Sequence, residues 1–124
     1  MGKFIVKKTS NDGFAFSLAA NNHEVIGVSQ TYSSMSALKN GIESVKKNAD
    51  VEIEDQTVQD FEELKCPKWE IYTDKAGEFR FRLKASNGEI ILAASEGYTA
   101  KANAKKGIES VRNNKDSETE VVEE

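Results

Sequence analysis

The chain has 124 residues, with 17 Lys and Arg against 21 Asp and Glu, a net charge of -4, and one each of His, Cys and Pro. That length suits one compact domain, the 38% hydrophobic residues support a core, and a single Cys excludes an intramolecular disulfide framework. One Cys and one His do not make a usual zinc site, so no metal or other cofactor is expected. No apolar run reaches signal-peptide or membrane-spanning length, and the expectation is a cytoplasmic protein without membrane attachment.

Taken in chain order, Phe4 and Val6 alternate with polar residues as a first strand does, and Ser10-Asn11-Asp12-Gly13 reads as a turn. Phe14-x-Phe16-x-Leu18-x-Ala20 is a second strand with one apolar face, Asn22-His23 a turn, and residues 24–29 a third strand. After Tyr32 a helix is expected, with Ser33 as its N-cap, an apolar stripe of Met35, Leu38, Ile42 and Val45, and Asn48 closing it in a left-handed conformation. Val51-Glu52-Ile53-Glu54 then alternates like a further strand, and an acidic connector follows over residues 55–66.

From residue 67 the order begins again. Lys68-Trp69 answers Lys3-Phe4, and Phe79-x-Phe81-x-Leu83-x-Ala85 answers the second strand at an offset of 65. Asn87-Gly88 is a two-residue hairpin signal, residues 89–95 a third strand, and Thr99 the N-cap of a helix bearing Lys101, Ala104, Ile108 and Val111. Gly107-Ile108-Glu109-Ser110-Val111 repeats Gly41-Ile42-Glu43-Ser44-Val45 without change at an offset of 66. The one-residue difference between the offsets predicts a β-bulge near Leu92–Ala94. Asn114 ends the helix, and Glu118–Val122 forms the last strand. The chain therefore reads as one pseudo-dimeric domain over 1–124, with repeat 1 at 2–54, the connector at 55–66 and repeat 2 at 67–122. Its charge follows that division: residues 1–50 carry +2, 51–66 carry -5, 67–116 carry +3 and 117–124 carry -4.

These residues resemble the YegP-like family of small bacterial proteins. The resemblance spans residues 2–54 and 67–122 and is strongest at Asn87-Gly88-Glu89, Ser95-Glu96-Gly97-Tyr98 and Lys106-Gly107-Ile108-Glu109-Ser110-Val111. Copy one departs from it with His23 after Asn22 and Thr31 before Tyr32. The resemblance implies an α+β fold of two β-β-β-α-β units. They would form one antiparallel sheet with two helices on one face, the last strand of each unit crossing to the other's part of the sheet. It brings no catalytic residues with it.

Motifs for catalysis are absent: no glycine-rich phosphate loop, His-Glu-x-x-His or Cys-x-x-Cys occurs, and the expectation is a protein that is not an enzyme. Arg80, Arg82 and Lys84 alternate outward on one strand and, with Lys101, Lys105, Lys106 and Arg112, suggest an anion or nucleic-acid surface. The plainer reading is a solvated sheet face with Glu70, Glu78 and Glu89 as cross-strand partners, and the acidic connector and tail argue against general nucleic-acid affinity. Repeat 1 has Ala15, Ser17 and Ala19 at the corresponding places, a flat face that suits a protein partner. Gly41 and Gly107, each interior to a helix, suggest close packing against the sheet or between the repeats. Tyr32 and Tyr98 fit a packing role before the helix caps, His23 an exposed hairpin tip and Cys66 a spectator thiol. The resulting expectation is a monomeric, non-catalytic interaction or binding module, with weak anion or nucleic-acid binding through the basic row as the alternative.

Overall fold

The computed structural model describes residues 2–20, 22 and 24–122. His23 lies outside the described residues. Strands β1 (Lys3–Lys8), β2 (Phe14–Ala19) and β3 (Val25–Val28) precede helix α1 (Met35–Asn48) and the short β4 (Ile53–Asp55). The same order follows in β5 (Lys68–Thr73), β6 (Phe79–Lys84), β7 (Ile90–Ala94), α2 (Lys101–Asn114) and β8 (Glu118–Val122). The protein is thus α+β, with two helices and one sheet of eight strands in the order β4-β5-β6-β7-β3-β2-β1-β8. Among the described residues no helix is long and apolar enough to cross a membrane.

The sheet is mixed, not antiparallel throughout. Its six inner strands pair antiparallel, but both outermost strands pair parallel, β4 on β5 and β8 on β1. A parallel neighbour needs a long return connection, and residues 56–67 provide it between β4 and β5. For β8 the return from β1 runs over residues 9–117, through the rest of both halves. Each post-helix strand therefore lies on the first strand of the other half.

The two halves meet where β3 pairs with β7, at Gly27 opposite Ala94 and Val28 opposite Ala93. Both helices cover the same face across this seam: α1 rests on β2 and β7, and α2 on β6 and β3. Phe4, Phe16, Leu18, Leu38 and Val45 from one half join Trp69, Phe81, Leu83, Ile108 and Val111 from the other in one buried cluster. The alternation of β2 and β6 explains the orientation, because their Phe and Leu residues take the covered face and every second residue the open one.

Several local expectations shift. The N-cap of α1 is Ser34, one residue later than Ser33, with its hydroxyl accepting from Ala37 N at 3.1 Å. The corresponding Ala100 caps α2 without a side-chain bond, so Thr99 has no capping role. Asn48 and Asn114 stay inside their helices, and the residues after them are right-handed. Their amides turn back on the preceding turn, Nδ2 donating to Ser44 O at 2.9 Å and to Ser110 O at 2.7 Å. At the second hairpin only Gly88 has positive φ, while Asn87 Oδ1 accepts from Glu89 N at 3.0 Å. That is a three-residue loop closed by glycine, longer than the two-residue turn expected. The bulge expected near Leu92–Ala94 in the second half alone does not appear there; register shifts fall at equivalent places in both halves, between Leu18 and Ala19 and between Leu83 and Lys84, and so do not absorb the extra residue.

Candidate functional site

Arg80, Arg82 and Lys84 stand on the sheet face away from the helices, opposite Tyr72, Glu70 and Lys68 of β5. The row carries its own counter-charge. Glu70 gathers three cations, Arg82 Nε at 2.5 Å, Lys68 Nζ at 3.2 Å and Lys84 Nζ at 3.3 Å. Arg80 Nε bonds Asp74 Oδ2 at 2.7 Å, and the Arg82 guanidinium lies 4.3 Å from the centre of the Tyr72 ring. Of the three expected partners, Glu70 takes the role; Asp74 serves Arg80, and neither Glu78 nor Glu89 pairs with the row.

Strand β4 completes this network. Glu54 of β4 meets Lys68 Nζ at 2.7 Å, and the side chains of Glu54, Lys68 and Glu70 are only 1%, 7% and 3% exposed. The connector buries them: Leu64 N donates to Glu54 Oε1 at 2.7 Å and Gln56 Nε2 to Glu54 Oε2 at 2.6 Å. Burial alone would push the Glu54 carboxyl up, but hydrogen bonds from Gln56, Lys68 and Leu64 outweigh it and hold the pKa down to about 2. Glu70 is likewise held below the usual carboxylate range, burial being outweighed by Arg82 and Lys68. Lys68 is raised, since its two carboxylate partners overcome the burial that lowers it.

The basic residues of α2 do not extend the row. The helix lies on the opposite face of the sheet, so strand and helix cations point away from each other. Lys101 instead reaches Asp55 Oδ2 at 3.0 Å. Arg112 donates to Ala49 O at 2.9 Å and Val51 O at 2.6 Å, closing the free carbonyls at the end of α1.

Ala15, Ser17 and Ala19 form the corresponding row on β2. Ala19 is buried at 4% exposure, while Ala15 and Ser17 are half-buried. Ser17 is flanked by Ile5 on one side and by Val28, 40% exposed, on the other; Ala93 continues the line beyond Val28. An uncharged strip of Ile5, Ser17, Val28 and Ala93 thus crosses the seam. Lys3 and Lys7 border it on β1 and Arg82 on β6.

Gly41 and Gly107 sit under aromatic pairs of their own halves, not between the halves. A Cβ on Gly41 would fall 2.3 Å from Tyr32 Oη, and one on Gly107 2.7 Å from Phe81 Cε2. Tyr32 stacks on Phe16 at 6.1 Å and Tyr98 on Phe81 at 6.2 Å, so each helix lies directly on a two-ring platform. Cys66 is half-buried in the connector.

A mixed eight-stranded sheet with two helices on one face is a known arrangement. The model of the family described as a domain of unknown function, DUF1508, matches residues 10–55 and again 74–122. The chain belongs to that family. It is 34% identical over 110 residues to the UPF0339 protein PA0329 of Pseudomonas aeruginosa, covering 89% of this chain and 86% of that one. A shorter match, 65% identical over 46 residues, links it to the UPF0339 protein in the ptx operon 5′ region of Stutzerimonas stutzeri. This match spans 37% of the chain and 40% of that relative's length. The solution structure of yegP from E. coli, a protein of unknown function, superposes with a TM-score of 0.77 at 33% identity, covering 98% of this chain and 91% of that one. No activity is indicated by these relatives.

Sequence reasoning missed the buried cluster of Glu54, Lys68 and Glu70. Its signal was faint: Lys68 and Glu70 alternate with Trp69 and Ile71 exactly as solvent-facing residues would. Only the connector folding over them converts that polar face into a buried one.

Proposed function

We propose that this chain is a tandem repeat whose halves exchange their last strands, a pseudo-dimeric, non-catalytic binding module of the bacterial cytoplasm. Its binding surface is the open-face strip of Ile5, Ser17, Val28 and Ala93. One observation carries the reading: this strip is the uncharged and uncovered part of a sheet face that is otherwise charged or overlain by the connector. Lys3, Lys7 and Arg82 border it together with Glu120, which lies beside Ile5 and pairs with Lys3, so it suits a polypeptide with an apolar stretch between polar residues. The alternative of anion or nucleic-acid binding through Arg80, Arg82 and Lys84 is weaker. Asp74 and Glu70 already neutralise that row, and releasing it would leave the buried Glu70 with Lys68 as its one remaining cation, itself shared with Glu54.

A photo-crosslinking phenylalanine analogue placed at Ser17 in living bacteria tests the reading. A discrete adduct is expected from that position, none from the same analogue at Asn113 on the outer face of α2, and loss of the adduct when Ala15→Lys is added. Adducts from neither position, or the same ones from both, would remove the reading.

A further inference from the structure

On the helix side of the sheet, the β2–β3 hairpin of the first half stands beside α2 of the second. Between them lies an open cleft of about 380 Å³. Glu24 comes from the hairpin, Asn103 and Lys106 from the facing helix, and Val25, Ile26 and Tyr98 complete the lining. Opposite charges therefore face each other across the cleft from different halves of the molecule. Among the described residues, Lys106 makes no ion pair, and the contact to the Glu24 carboxylate is a long one from Asn22 Nδ2 at 3.4 Å.

Tyr98 is fixed there by its backbone bridge to Phe79 and its stack on Phe81. Gly107 leaves room for its hydroxyl, since a Cβ at that position would fall 3.0 Å from Oη. Burial pushes the Tyr98 phenol up, and the Glu96 and Glu24 carboxylates add to the effect, so the charge of Glu24 is felt at the phenol.

A related cleft lies beside α1, where residues 40 and 44 correspond to 106 and 110. Its lining includes Asn40, Glu43, Ser44, Lys47 and Ser86. Both of these charges stand on the helix itself, and the hairpin contributes none to the facing wall. The facing pair of charges thus belongs to the first cleft.

A ligand complementary to this wall pair carries an ammonium at Glu24, a carboxylate at Lys106 and Asn103, and an apolar group against Val25 and Ile26. Both charges must sit in one small molecule, because the volume is at the low end for small-molecule pockets, which run from roughly 300 to 1,000 Å³. We propose that the cleft binds a free α-amino acid with an apolar side chain, as its zwitterion.

Isotope-labelled full chain titrated with L-leucine and followed by amide NMR tests this. Saturable shifts are expected, confined to residues around 24–26 and 103–107. N-acetyl-leucine, which lacks the cation, and leucinamide, which lacks the carboxylate, should each bind about tenfold more weakly, as expected for losing one charged hydrogen bond. Lys106→Gln should make leucine and leucinamide equivalent, and Glu24→Gln should do so for leucine and N-acetyl-leucine. Both side chains are exposed, so the variants should keep dispersed spectra. No saturable shift with leucine, an equal response to all three compounds, or shifts centred on Ser17 and Val28 would overturn the proposal.

Discussion

A methyl group at position 41 would meet the Tyr32 hydroxyl, and that hydroxyl is itself buried with no hydrogen-bond partner among the described residues. The two facts are coupled. Gly41 costs its helix about 0.5–1 kcal/mol relative to Ala, yet Ala there must displace a ring already held by its stack on Phe16. Gly41→Ala is expected to destabilise the protein by about 1–3 kcal/mol, the range for overpacking. Tyr32→Phe removes an unsatisfied buried group and should be neutral or stabilising by about 1 kcal/mol. Combined, they should recover only the part of the loss that the hydroxyl causes, because the ring's Cζ still lies 2.7 Å from the added Cβ. Gly107→Ala should not be recovered by Tyr98→Phe, since there the nearest atom belongs to Phe81. Urea unfolding of the four single and two double variants measures this, and equal recovery in both halves would contradict it. The glycine pair was visible in the sequence as a repeated helix-breaking cost. Its cause was not, because Tyr32 and Gly41 meet only once the helix lies on β2.

At the scale of elements, the two outer edges of the sheet use the same residue types in different surroundings. Lys68 meets Glu54 between β5 and β4, and Lys3 meets Glu120 at 3.4 Å between β1 and β8. The first pair is nearly inaccessible, whereas the second is 54% and 53% exposed. The difference is the connector, which bonds Glu54 through Gln56 and Leu64. Removing one partner of a buried pair strands the other in a poor solvent, while an exposed pair is replaced by water. Lys68→Met is therefore expected to cost about 3–5 kcal/mol. Lys3→Met should cost less than about 1 kcal/mol. Fluorescence of Trp69 during chemical unfolding provides the measurement, and comparable losses would show that the connector does not seal the first edge. Alternation revealed which residues of β5 and β6 share a face. It did not reveal that the face is covered, because a connector with no periodic pattern carries no sign of where it lies.

For the molecule as a whole, the halves are joined by more than the seam between β3 and β7. β4 lies on β5, β8 lies on β1, Arg112 and Trp69 both donate to Ala49 O, and Gly2 N donates to Asn114 Oδ1 at 3.0 Å. Each half thus supplies an outer strand and a helix-end partner that the other lacks. A chain cut between Glu62 and Glu63, with the two pieces co-expressed and only one tagged, should yield a one-to-one complex that survives washing. Loss of the untagged piece would mean that covalent linkage, and not strand exchange, holds the halves together.

The sequence by itself determined the element order, the inward residues of β2 and β6, the apolar stripes of both helices and the twofold internal repetition. All of these rest on spacing within a few residues or on identity between distant segments. It also placed Arg80, Arg82 and Lys84 on one strand face, opposite in character to Ala15, Ser17 and Ala19. Only the tertiary structure decided that both outer strands run parallel, that the helical cations lie on the far side of the sheet from that row, and that Glu70 neutralises its centre while Glu54 holds Lys68 beneath the connector. Those outcomes depend on which strand edge a returning chain reaches and what then covers it. The burial and charge pairing that follow are properties of the assembled surfaces, and no local pattern of residues encodes them.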